Sequence, residues 1–140
     1  MLSKADLDNY FYRCRIPEEY QPYFGLPGVV LGELGLTPEE KAAWAPGFAD
    51  TDIVFPTMCV LPMGWSHSPL VAQEAHEELL SRESELKESN RLRESKPWGK
   101  RRRVHFSYID DTVVLVVGPR RDRSRLKKEA DALLASALAA

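Results

Sequence analysis

The sequence predicts an α+β fold, with helices packed on one face of a mainly antiparallel sheet. Three observations predict it. Two β-branched and aromatic runs, Val104–Ser107 and Thr112–Val117, flank a short polar break and read as paired strands. Apolar residues recur at helical spacing at Val71, Ala75 and Leu79, and again from Leu126 to Leu138. The order along the chain is strand, excursion, strands, helix, hairpin, helix, a mixed pattern that suits layered α+β packing.

Taken in order, Asp6 to Ile16 reads as a strand leading into a short helix or turn. Pro17-Glu18-Glu19 resembles the first turn of a helix or a tight turn, with proline early and acids near a positive helix end. Tyr20 to Leu26 is aromatic-rich and reads as a returning strand. The segment 28–49 is rich in glycine and proline and reads as a surface excursion. Inside it Thr37-Pro38-Glu39-Glu40 predicts a capping box and a helix of about two turns through Trp44. Ile53–Phe55 and Met58–Leu61 read as strand pieces interrupted by Pro56. Ser68-Pro69 is an N-cap and first-turn pair, so a helix starts there, with Val71, Ala75, Leu79, Ala72 and Leu80 on its apolar side. The charged run 81–103 reads as a solvated extension or a linker. Leu126, Ala130, Leu133, Leu134, Ala137 and Leu138 predict a final amphipathic helix.

Length and composition narrow the function classes. The chain has 140 residues, enough for one compact domain, with ordinary apolar (44%) and charged (29%) content. No apolar stretch approaches a membrane span, and the acid-bearing N-terminus does not read as a signal peptide. Cys14 and Cys59 form no CxxC pattern and read as small core residues in a reducing, intracellular setting. Nothing suggests zinc. A net charge of -2 does not advertise a polyanion partner, but it averages over two basic clusters, Lys96 to Arg103 and Arg120 to Lys128.

The chemistry centres on Tyr108-Ile109-Asp110-Asp111. Two adjacent carboxylates cannot sit unpaired inside a buried sheet, so a hairpin with both acids at its turn is the economical arrangement. Asp6, near the end of a predicted strand, adds a third if the two edges meet. Clustered carboxylates repel unless a cation sits among them, and oxygen-only ligands favour Mg²⁺. A plain solvent-facing Asp-Asp turn, with Asp6 or Asp8 solvating a strand end, is the alternative. The loop Leu61–Pro69 offers Gly64 for close backbone approach and Trp65 as a stacking face.

Together and in this order, the three segments resemble the palm of a reverse transcriptase, an RNA-directed DNA polymerase, of a retroelement. Asp6-Leu7-Asp8-Asn9-Tyr10-Phe11 is similar to that family's first motif, an Asp followed five positions on by an aromatic residue. Leu61-Pro62-Met63-Gly64 with Ser68-Pro69 is similar to its leucine-proline-glutamine-glycine and serine-proline stretch. Tyr108-Ile109-Asp110-Asp111 matches its tyrosine-x-Asp-Asp motif. The resemblance covers about residues 5–118 and implies a single partial palm domain over 1–140.

It implies roles residue by residue. Asp6 and Asp110 bind two Mg²⁺ ions, with Mn²⁺ as the alternative metal. Asp111 assists as a catalytic and metal-binding acid, and the Leu7 carbonyl joins the metal shell. Phe11 gates the sugar of the incoming nucleotide, while Met63, Gly64 and Tyr108 neighbour the nucleotide and the primer end. Arg101, Arg102, Arg103 and Arg121 are candidate contacts to the nucleic-acid backbone. The implied partners are an RNA or DNA template-primer and deoxynucleotide triphosphates, with no membrane. Met63 departs from the family's glutamine. The family's fingers and thumb have no counterpart in the sequence, so a fragment of a longer parent is expected, inactive or nearly so alone. The contrasting expectation is an inactive remnant that only binds nucleic acid or a partner.

Overall fold

A computed structural model describes residues 1–139. The chain forms helices and antiparallel sheets, an α+β arrangement. Where the sequence suggests one domain, the chain divides into two compact units, one of residues 1–11 with 63–140 and the other of residues 12–62.

The larger unit is built on a three-stranded antiparallel sheet in the order β1-β5-β4, with β1 Leu2–Asp6, β4 Arg103–Tyr108 and β5 Asp111–Val116. The expected hairpin is present, and Tyr108 pairs with Asp111 across its turn. The first strand lies earlier than expected: it ends, rather than begins, at Asp6. Asn9 turns the chain with a positive φ of 54°, and the short helix α1, Tyr10–Arg13, follows.

Side chains alternate across a sheet, so the register assigns them to two faces. One face carries Ser3 and Ala5 of β1, Thr112, Val114 and Val116 of β5, and His105 and Ser107 of β4. It meets helices α3 (Ser68–Glu83) and α4 (Arg123–Leu138). Leu80, Leu86, Val114, Val116, Leu126, Ala130, Leu133, Leu134 and Ala137 form the core between them. The other face carries Lys4, Asp6, Phe106, Tyr108 and Asp111. Helix α4 buries the expected stripe, except that Leu138 is exposed.

Helix α3 differs in detail. Ser68 is its first residue, and His67 occupies the N-cap without a side-chain bond. Its buried stripe is Ser68, Ala72, His76 and Leu80, one position along from the predicted Val71-Ala75-Leu79 face, of which Val71 and Leu79 are exposed. The charged run after it is neither a helical extension nor a free linker. Ser84 ends α3, Leu86 is buried at 4% exposure, and Arg91 bridges in parallel to His105. The Leu92 amide then donates to the His105 carbonyl at 2.7 Å. Leu86 anchors the segment in the core, while Arg91 pairs with Glu77 and Glu88.

The smaller unit holds a two-stranded antiparallel sheet of β2 (Val29–Val30) and β3 (Ile53–Val54), and helix α2 (Pro38–Trp44). The capping box is as expected: Thr37 Oγ1 accepts from the Glu40 amide, and Glu40 accepts from the Thr37 amide. Residues 20–26 are not a strand. Glu18–Phe24 is a 3₁₀ helix with Pro22 inside it, in which Tyr20 and Tyr23 are exposed and Phe24 is half-buried. Met58–Leu61 is not a strand: Val60 bridges to Arg15, and the Met58 amide donates to the Phe24 carbonyl. Cys14 is half-buried and Cys59 exposed, so Cys59 is not the core residue its type suggests.

Candidate functional site

The three acids converge on one end of the sheet. Asp6 and Asp111 are direct register partners, and the Leu7 amide donates to the Asp110 carbonyl at 3.0 Å. Tyr108, the other partner of Asp111, completes the row and is exposed. β1 and β5 bring together residues more than a hundred positions apart, so the convergence belongs to the fold and not to local sequence.

A cation already sits among them. The Lys4 ammonium lies 2.7 Å from an Asp111 carboxylate oxygen. Its pKa is held above the ordinary lysine value, first by that hydrogen bond and then by the charges of Asp111, Asp6 and Asp110, against the opposing effect of burial. The donor set is all hard oxygen, the chemistry that suits Mg²⁺, and the ammonium is a stand-in for the positive charge it attracts. As the side chains stand, no group of three acids, histidines or cysteines among the described residues is arranged to hold a metal ion.

The turn carrying Asp110 is unusual. Ile109 has a φ of +55°, a left-handed conformation that a β-branched residue adopts only at a cost. A two-residue hairpin turn that is left-handed at its first central position takes glycine by default. Helix α3 holds this one. Gln73 Oε1 accepts from the Ile109 amide at 2.6 Å, and Gln73 Nε2 donates to the Ser107 carbonyl at 3.2 Å. His76 Nδ1 donates to the Ile109 carbonyl at 2.6 Å, and its Nε2 lies 2.9 Å from Thr112 Oγ1. His76 is buried, at 1% exposure, and its ring stacks obliquely on Tyr10 at 5.4 Å.

Tyr10 in turn donates from its hydroxyl to the Ala72 carbonyl, which ties α1, and with it the half-buried Phe11, to α3. Met63 is exposed, and Gly64, at a φ of +98°, needs glycine for its conformation rather than for space. Both lie on the loop that opens α3, the helix that grips the acidic turn.

Three of the four candidate arginines have partners within the fold. Arg101 donates to the carbonyls of Trp98, Ser89, Arg91 and Pro97, which makes it the staple of its own loop. Arg102 and Arg103 share Glu129 of α4. Arg121 is exposed on a 3₁₀ turn, Arg120–Asp122.

Sequence reasoning missed Lys4, Gln73, His76 and Thr112. The one available signal was the i, i+4 series Ala72-His76-Leu80, which places a polar ring on an apolar stripe. No protein-family model and no curated protein matches the chain. No helix among the described residues is long and apolar enough to cross a membrane.

Proposed function

We propose that the larger unit is a reverse-transcriptase-like palm whose acids serve template-directed DNA synthesis. The observation that carries the reading is the pairing of Asp6 with Asp111, beside Asp110 at the turn, on the face of the sheet opposite the helices. The three sequence motifs in order add to it. Asp6, Asp110 and Asp111 would offer the carboxylate oxygens, with the Leu7 carbonyl beside them. Two Mg²⁺ ions, when bound, would supply stabilisation of the charge that develops as a primer 3′-hydroxyl displaces pyrophosphate from a deoxynucleotide. Phe11 would limit space at the sugar, and Tyr108, Met63 and Gly64 would border the nucleotide and primer end.

A second reading is an inactive palm that retains only binding. Lys4 favours it, because an ammonium held by Asp111 opposes a metal at the same acid. Primer extension on an RNA template with Mg²⁺ separates the two readings. Extension that disappears in Asp110→Ala supports the polymerase. No extension by the wild-type chain, with template-primer still bound, supports the inactive palm. Extension that survives Asp110→Ala contradicts both.

A further inference from the structure

We infer that Gln73 and His76 are positioning residues: from one face of α3 they hold Ile109 left-handed, and so fix where Asp110 stands. The backbone bond from the Leu7 amide reaches the Asp110 carbonyl and does not touch Ile109. Ile109 is the first of the two turn residues, outside the Tyr108–Asp111 pair, so the strand ladder does not hold it. The two α3 side chains take up both of its backbone polar groups, the amide through Gln73 and the carbonyl through His76. Gln73 and His76 are one helical turn apart and so project together.

Their second bonds reach either side of the turn. Gln73 also donates to the Ser107 carbonyl on β4, and His76 also meets Thr112 on β5. The carbonyl of Ile109 can only accept, so the His76 proton lies on Nδ1. In the neutral ring Nε2 then accepts from the Thr112 hydroxyl. The four contacts straddle the hairpin tip and leave Asp110 and Asp111 themselves unbonded to the clamp. The acids are thereby placed by their backbone, and on the far face the Asp111 carboxylate pairs with Lys4 and not with the clamp.

The consequence for a cation rests on the palm reading; the clamp itself does not. Second partners of this kind commonly change metal affinity by about ten- to a hundredfold when removed. Two readouts separate the claims. In the first, amide hydrogen exchange is followed by NMR in the wild-type chain and in Gln73→Met, which keeps the length and loses both polar atoms. Exchange at Ile109 should speed by about tenfold relative to Val114 in the buried centre of β5. In the second, Mn²⁺ titration should show affinity weakened by about tenfold in Gln73→Met. Adding Ile109→Gly, which adopts the left-handed conformation without the clamp, should recover most of that affinity and leave residue 109 unprotected.

If Gln73→Met does not fold, His76→Asn and His76→Leu replace it. The Asn amide can still donate to the Ile109 carbonyl and should retain Mn²⁺ binding better than Leu. Ile109 exchange that is unchanged, or that moves in step with Val114, overturns the clamp. The expected exchange change in a chain that binds no Mn²⁺ supports the clamp and sinks the metal reading instead. Weakened Mn²⁺ binding that Ile109→Gly does not recover overturns the positioning role.

Discussion

The Lys4 ammonium and the Asp111 carboxylate form a 2.7 Å ion pair between neighbouring strands, next to Asp6 and Asp110. Lys4 and Asp6 are two residues apart on one strand and share a face. The same strand therefore brings one acid to the site and a cation that pairs with another. Lys4→Met should tighten Mn²⁺ binding severalfold, measured by titration calorimetry at low salt. The gain should shrink as salt screens the ammonium in the wild-type chain. Weaker binding in Lys4→Met would show that Lys4 supports the site and does not oppose it.

His105 makes stability depend on pH. Burial lowers its pKa, and the Arg91 guanidinium adds to that; the Lys87 carbonyl and the charges of Glu88 and Glu77 oppose it. The folded state therefore binds fewer protons than the unfolded chain below an unfolded pKa of about 6.5. Stability should fall as pH drops through that value towards the lower folded pKa, and level off once both states are protonated. Thermal melting between about pH 5 and 7.5 checks the sign. His105→Gln should flatten the slope; an unchanged slope would assign it to other groups.

Leu86 tests whether the charged segment is part of the fold. A free linker would tolerate Leu86→Ala with almost no change. Buried in the core between sheet and helices, it should instead cost about 2–4 kcal/mol in urea unfolding.

The arginines should divide by function. Arg101→Lys cannot reproduce the planar fork that reaches four carbonyls, so it should increase proteolysis near Trp98 and Lys100. Arg121→Ala should leave melting unchanged. If Arg121 meets a phosphate, the substitution should reduce the salt slope of template-primer binding by about one. An unaltered slope would remove Arg121 from the interface.

Much of the larger unit was legible because its signals are local and periodic. The hairpin declares itself by β-branched runs on both sides of Asp110, and α4 by Leu126, Ala130, Leu133 and Ala137. On α3 the expected Ala72 and Leu80 are buried, but the stripe is only partly legible, because His76 between them counts as polar in any hydropathy pattern. It is buried only because Ile109 and Thr112 give it partners. The charges around Leu86 hid a core residue, since Arg91 is neutralised by Glu77 and Glu88 in space. Residue type alone suggests a strand over Tyr20 to Leu26, but a strand needs a partner, and this stretch has one at the Gly25 bridge. At the site, the convergence of Asp6 with Asp110 and Asp111 could be expected. The Lys4 ion pair and the clamp on Ile109 arise from tertiary neighbours, which no spacing encodes.

On the proposed function, Asp6, Asp110 and Asp111 together take a divalent cation with a nucleotide. The most direct test is calorimetric titration of Mg²⁺, in the presence of template-primer and a deoxynucleotide triphosphate, into the wild-type chain and into Asp6→Asn and Asp110→Asn. The wild-type chain should bind saturably, and either substitution should abolish or severely weaken that binding with melting temperatures preserved. Equal binding by all three chains, or heat no greater than that of template-primer and nucleotide without protein, would contradict it.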